Sequence, residues 1–442
     1  NLLLEQLRSS EGNLLENTTL ITTLASTKQK SQENKESLAS AMETNQKINK
    51  SREDYRPVAV RGAVIYFLIQ EMSLVNPMYQ VSLNQFLGKF YESIETAEKD
   101  NFPAKRIENI IKKLTYTCWS YIIRGLYEKD KLLFCLQLAL KIEMSLDKVD
   151  KNGNSLGITF NDYQIYIKAG AALPPGAASN VQESFGEIFD PVRDNLIALS
   201  QVSSLRGILN YLSTGQSDWV RIMTSPNPEE EPLPVFSPAK DSDVRPFQKA
   251  VIIRCLRPDR AIFASSKYIQ EFLGDEYIEY PPVNLDNIAL EAGNQSPVIF
   301  LLSPGSDPTP LIEEAAKRAK KELNTVSMGQ GREEFAENFI QQSKHKGEWV
   351  LLQNCHLGLR YMDTLFEMYK ADALADLEAK KDQSNDNDDK GDKGGKNDKK
   401  NKKQDAKQTT SNKQVTHEDY RLWITTEVHP KFPISLLQLS LK

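Results

Sequence analysis

Between Ser296 and Glu427, short apolar runs alternate with charged stretches of helical period, and this alternation limits the possible folds more than any other feature of the chain. Runs such as Val298-Ile-Phe-Leu-Leu and Trp349-Val-Leu-Leu are continuously apolar, as expected of strands covered on both faces. We assign strands at 297–302, 324–328, 349–353 and 421–426, with helices at 311–322, 331–344 and 358–371 between them. Strands joined by amphipathic helices predict an α/β fold: a largely parallel sheet with helices on both faces.

The first strand runs into Ser303-Pro304-Gly305-Ser306-Asp307-Pro308-Thr309 and then a helix. A strand, a tight loop and a helix N-terminus is the order that cradles phosphate on backbone N–H groups. The working motif is G-x-x-x-x-G-K-[ST], whose lysine reaches the outer phosphates and whose hydroxyl binds Mg²⁺. Aligned on Ser303 to Pro310, that frame puts Pro308 at the second glycine, Thr309 at the lysine and Pro310 at the hydroxyl. No lysine lies between Lys267 and Lys317, so no shifted frame restores the motif. A later strand that should end in a metal-holding acid ends instead in Gln353 and Asn354, amides without charge. The scaffold reads as nucleotide-binding and its chemistry as lost, with no catalytic residue and no metal ligand set expected.

At 442 residues the chain is long enough for two to four domains. A net charge of -5 offers no basic surface for nucleic acid or an anionic membrane. Cys118, Cys135, Cys255 and Cys355 are widely spaced, which suits reduced thiols rather than a disulfide framework. No apolar run reads as reaching the ~20 residues of a membrane span. The chain opens without Met inside a helical pattern, so a fragment of a longer polypeptide is expected.

Upstream of the α/β region the pattern is helical. Residues 2–10 and 14–55 form two polar helical stretches divided at Glu11-Gly12-Asn13. On the second, Leu20, Leu24, Leu38, Met42 and Ile48 are candidates to hold an antiparallel coiled coil together, although Ser31, Asn34, Asn45 and Arg52 interrupt the seam. Pro57 ends that helix. Further helices are predicted at 63–71, 79–97, 105–128 and 132–146, with Trp119, Tyr121, Phe134 and Cys135 in the core. Residues 147–240 are loop-rich, with short helices near 191–199 and 203–212 and Trp219 as an apolar anchor. Residues 378–416 lack large apolar side chains apart from Val415 and are expected to be a disordered insert.

Several runs resemble the dynein heavy chain, an ATP-driven microtubule motor built on a ring of six AAA+ modules. They include Tyr55-Arg-Pro-Val-Ala-Val-Arg-Gly, Gly125-Leu-Tyr-Glu-Lys-Asp-Lys-Leu and Ile253-Arg-Cys-Leu-Arg-Pro-Asp-Arg. Phe300-Leu-Leu-Ser-Pro-Gly-Ser-Asp-Pro-Thr, Trp349-Val-Leu-Leu-Gln-Asn-Cys-His-Leu and Leu422-Trp-Ile-Thr-Thr-Glu-Val-His-Pro-Lys-Phe-Pro follow in the same order. The resemblance implies an AAA+ P-loop-type sheet at 246–442 as the large subdomain of the sixth module, with 96–245 as its helical entry. Residues 62–95 would belong to the small subdomain of the fifth module, and 1–61 to the buttress, a coiled coil leaning on the stalk. It further implies a segment without a cofactor of its own, ATP and magnesium being held by other modules. The implied partners are those modules, the stalk coiled coil, the microtubule indirectly, and the dynein intermediate and light chains. The implied place is the cytoplasmic cytoskeleton, in a cilium or flagellum axoneme, and the type an axonemal outer-arm chain.

Three other readings stand beside it. An active P-loop NTPase would need Thr309 and Gln353 to replace a lysine and a carboxylate. An interaction scaffold would use the coiled coil and the insert as binding arms. Thiol or metal chemistry at Cys355-His356 lacks a second ligand pair nearby in sequence.

Overall fold

The computed structural model describes residues 18–146, 158–173, 186–202, 205, 207–214, 216–233, 246–329, 331–388 and 416–442. The chain divides into two compact units, one of Asn1–Gly62 with Thr96–Lys113 and one of Ala63–Glu95 with Leu114–Lys442.

Most of the first unit's described chain is α1, Thr18–Asp54, followed across Tyr55 by the start of α2, Arg56–Glu71. Pro57 cannot donate a backbone hydrogen bond, so the helix is re-initiated rather than continued. The predicted coiled coil is not seen: among the described residues no second helix pairs along α1, and residues 2–10 lie outside the description. Leu38, Met42 and Ile48 are 58%, 59% and 59% exposed, and the side chains of Leu20 and Leu24 lie outside the described set. The polar breaks at Ser31, Asn34, Asn45 and Arg52 leave too little continuous apolar surface for α1 to bury by itself.

The expectation that nothing reaches the length of a membrane span needs correcting. Arg56–Leu74 is 19 residues long with a mean hydropathy of 1.2. Its residues Ile65, Leu68, Ile69 and Met72 recur at helical spacing and are buried, the pattern of a core helix with one inward face.

Next along the chain come α3 (Leu83–Thr96), nearly all in the second unit, α4 (Pro103–Ile123), which begins in the first unit and enters the second at Leu114, and α5 (Glu128–Met144), in the second. The break between α4 and α5 falls at Arg124–Tyr127 rather than after residue 128, and Gly125 lies in it. Trp119, Phe134 and Cys135 are buried as predicted, whereas Tyr121 is only half-buried. Then come α6 (Phe160–Lys168), α7 (Arg193–Leu199), α8 (Ile208–Thr214), α9 (Gln216–Thr224), α10 (Pro246–Leu256), α11 (Ala261–Leu273) and α12 (Leu285–Ala292). Trp219 is fully buried. Asn284 caps α12 by accepting from the N–H groups of Asp286 at 3.0 Å and Asn287 at 3.1 Å.

The sheet comprises β1 (Val298–Leu302), β2 (Leu323–Ser327), β3 (Trp349–Gln353) and β4 (Arg421–Glu427), in the order β1-β4-β3-β2 with every neighbouring pair parallel. Between them run α13 (Thr309–Arg318), α14 (Glu333–Lys346) and α15 (Leu359–Asp388), and α16 (Ile434–Leu439) follows β4. The predicted α/β architecture with a helical extension is therefore present. Successive strand residues feed opposite cores, as the pleat requires. Ile299, Val350, Leu352, Leu422 and Ile424 pack with residues of α14, α15 and α16. Val298, Trp349, Leu351 and Trp423 pack with α12 and α13. On the outer side of β1, Leu441 forms a parallel bridge with Val298, its carbonyl accepting from Ile299 N at 2.8 Å.

Helix α15 continues to Asp388, so the first part of the predicted insert is helical, and residues 389–415 lie outside the description. Lys344 on α14 ties both sides of this interruption. Its ammonium pairs with Asp372 on α15, and its carbonyl accepts from His417 N at 2.9 Å, shortly before β4. Gly347, which ends α14 at φ 74°, lies so close that an added Cβ would stand 2.5 Å from His417 Nδ1.

Candidate functional site

In open parallel sheets ligands bind outside the carboxyl ends of the strands. At that end lie Leu302, Ser327, Gln353 and Glu427, the last residues of the four strands, together with the loops that follow them.

The loop after β1 begins with a tight turn. Ser306 N donates to Ser303 O at 3.0 Å, with Pro304 at the first central position and Gly305 at φ 82° at the second. Proline followed by a residue of positive φ is the type II pattern, so glycine is required for the turn rather than for approach to a ligand. Asp307 then accepts from Thr309 N at 3.0 Å. Hydrogen bonds from the Thr309 side chain and then its backbone hold the Asp307 carboxyl below the usual carboxylate range, so it is charged at neutral pH.

The donors a phosphate would need are mostly engaged or missing. Pro304, Pro308 and Pro310 have no N–H, Ser306 N and Thr309 N are used within the loop, and Leu311 N and Ile312 N both donate to Pro308 O. Gln353 Nε2 donates to Thr309 Oγ1 at 2.7 Å, so the side chains standing for the motif's lysine and the metal-holding acid bond directly to each other. This set supplies neither a fixed cation nor a carboxylate on β3, and Asp307 places a negative charge at the helix N-terminus. The residues do not fit a magnesium-bound triphosphate.

Asn354 adopts the left-handed conformation at φ 56° and ψ 42°, which asparagine tolerates better than most residues. Its N–H donates to Thr425 Oγ1 and its Nδ2 to Ser327 Oγ, both at 3.3 Å, joining β3 to β4 and β2. Met328 N donates to Gln353 O at 2.8 Å. His356 Nδ1 accepts from Glu427 N at 3.2 Å, and Cys355 is fully buried with desolvation pushing its thiol far above the ordinary value. The thiol is thus unsuited to nucleophilic chemistry at neutral pH.

The structure therefore joins Asp307, Thr309 and Gln353 in one polar network, while Asn354 bonds instead to Thr425 and Ser327. It places Leu38, Met42 and Ile48 in the other unit, on an exposed helix. Sequence reasoning missed Ser327, Thr425 and Tyr127, whose hydroxyl donates to Leu302 O at 3.1 Å. The available signal for Ser327 and Thr425 was their position near the ends of strands already assigned.

Residues 293–383, which contain this loop, β1 to β3 and much of α15, match the family model described as the dynein heavy chain region D6 P-loop domain. The chain is 38% identical over 440 residues to mouse dynein axonemal heavy chain 5, covering 100% of this chain and 8% of that protein. It is 38% identical over 440 residues to human dynein axonemal heavy chain 8, covering 100% and 9%. It is 37% identical over 442 residues to the Chlamydomonas reinhardtii dynein gamma chain of the flagellar outer arm, again covering 100% and 9%. The chain thus spans less than a tenth of the length of these curated relatives. With a family-model match that includes the loop and similarity along all of this chain to axonemal members, this chain belongs to the dynein heavy chain family.

Proposed function

We propose that this chain is a non-hydrolysing AAA+ segment of the ring of a dynein heavy chain, an ATP-driven microtubule motor. Residues 1–61 act as the buttress toward the stalk, 62–95 belong to the small subdomain of the fifth module, and 96–442 form the large subdomain of the sixth. ATP and magnesium work at other modules, and this segment passes their shape change to the stalk and so to microtubule affinity. Its partners are those modules, the stalk and, in the assembled motor, intermediate and light chains, within a cilium or flagellum axoneme.

The observation that carries this reading is the 2.7 Å hydrogen bond from Gln353 to Thr309, beside a loop capped by its own Asp307. A phosphate there would have to break that bond, approach a fixed negative charge and do without both lysine and metal. Equilibrium binding of a fluorescent ATP analogue with Mg²⁺ to this chain tests it. We expect no saturation at micromolar concentration; micromolar, magnesium-dependent binding would overturn the reading. The buttress role is tested in the parent motor by Leu38→Pro, expected to cost ~3 kcal/mol or more locally. ATP turnover should then lose its link to microtubule release, whereas unchanged coupling would count against the assignment.

A further inference from the structure

Two cations converge on one carboxylate beside β1. Glu291, in the last turn of α12, accepts from Lys89 Nζ of α3 at 2.9 Å and from Arg124 Nη1, just after α4, at 2.7 Å. The three side chains are 24%, 19% and 17% exposed, so water screens them less than it screens surface pairs. Both cations also lie over the Tyr121 ring, Lys89 Nζ at 5.5 Å and Arg124 Cζ at 4.7 Å from its centroid. Burial alone would raise the Glu291 pKa, but hydrogen bonds and charge from Arg124 and then Lys89 outweigh it and hold the group below its ordinary value. Lys89 is shared with Glu92 of its own helix at 2.7 Å.

A second tie holds the other end of β1. The Tyr79 hydroxyl donates to Asp130 Oδ2 at 2.7 Å and accepts from Tyr127 N at 3.1 Å, and the Tyr127 hydroxyl donates to the carbonyl of Leu302. Glu291 precedes β1 and Leu302 ends it at the Ser303 loop. The segment carrying Tyr79 and Lys89 is thereby linked to α12, which leads into β1, and through Tyr127 to the last residue of that strand.

We propose that Glu291 is a positioning residue: its carboxylate, shared by Lys89 and Arg124, makes α3 follow α12 and β1 as one mechanical block. The joint stands on its own geometry, and only its meaning for motor function rests on the reading above. Without the carboxylate, Lys89 on α3 and Arg124 after α4 both lose the group that ties them to α12, and α3 is freer to part from α12.

Hydrogen exchange of the α3 amides in this chain, in the native sequence, E291Q, E291K and the double variant E291K/K89E, tests the joint. E291K gathers three cations and is expected to raise α3 exchange about tenfold, with E291Q raising it less. The double variant again sets two carboxylates, at 89 and Glu92, against two cations, at 291 and Arg124, and is expected to reverse most of the increase. Unchanged α3 exchange in both E291Q and E291K, or an E291K effect that K89E does not reduce, would overturn the proposal. In the parent motor, faster α3 exchange with unaltered microtubule-stimulated ATPase would leave the joint standing and sink the mechanical reading of this segment.

Discussion

Helix α1 and strand β4 are both continuous elements, yet they hold their shape by different means. Strand β4 pairs with β1 on one side and β3 on the other, and its Trp423 is buried against Trp349 and Phe300, with centroids at 5.2 Å and 6.0 Å. Helix α1 leaves Leu38, Met42 and Ile48 more than half exposed, and its visible side-chain bonds are largely local, such as Lys47 to Glu43 at 2.8 Å. The difference teaches that an apolar residue stabilises only through what covers it. The same side-chain chemistry is core in one place and an unfilled surface in the other.

The comparison can be broken most directly at the strand. Trp423→Ala should cost ~3–5 kcal/mol, read as a fall in the denaturation midpoint, because both neighbouring rings lose their partner. If the loss were under ~1 kcal/mol, the sheet centre would be no better packed than the helix. Thr309→Val should cost ~1 kcal/mol by leaving Gln353 Nε2 without its acceptor, measured by urea unfolding. It should not confer nucleotide binding. Glu291 sharpens the contrast through pH. Its folded pKa lies below its unfolded value, so its stabilisation is present above the unfolded value and fades as pH falls through the folded one. The stability gap between the native chain and E291Q should therefore be open at neutral pH and close in acid below about 4.5, the ordinary glutamate value. Smallest of all, Leu38→Ala should change the stability of this chain by less than ~0.5 kcal/mol, because little apolar contact is lost. A loss of ~2 kcal/mol would mean that a helix covers this seam after all.

The four strands were legible because continuous apolar runs bounded by turns leave few other assignments, and their observed limits differ from the expected ones by a residue or so. The loop's lost lysine and acid were equally legible, because position within a known frame decides which charge is missing. The bond between Thr309 and Gln353 was not, since the two residues are 44 apart in the chain and only the parallel sheet brings them together. Glu291 escaped notice for the same reason: its partner Arg124 is 167 residues away, and one sequence does not say which charges converge. The 30-residue length of α15 was misjudged because a polar composition was read as unable to order, whereas alanine, glutamate, lysine and glutamine favour helix even without a core to pack on. The partner of α1 was not legible either, because a seam interrupted at Ser31, Asn34, Asn45 and Arg52 does not say which helix lies along it.

Lys344 has a practical corollary. Because one side chain and its own carbonyl fasten Asp372 and His417, the sheet need not register how much polypeptide lies between them. One lysine of α14 thus fixes α15 and the entry to β4 through contacts of its own, whatever the chain between them holds.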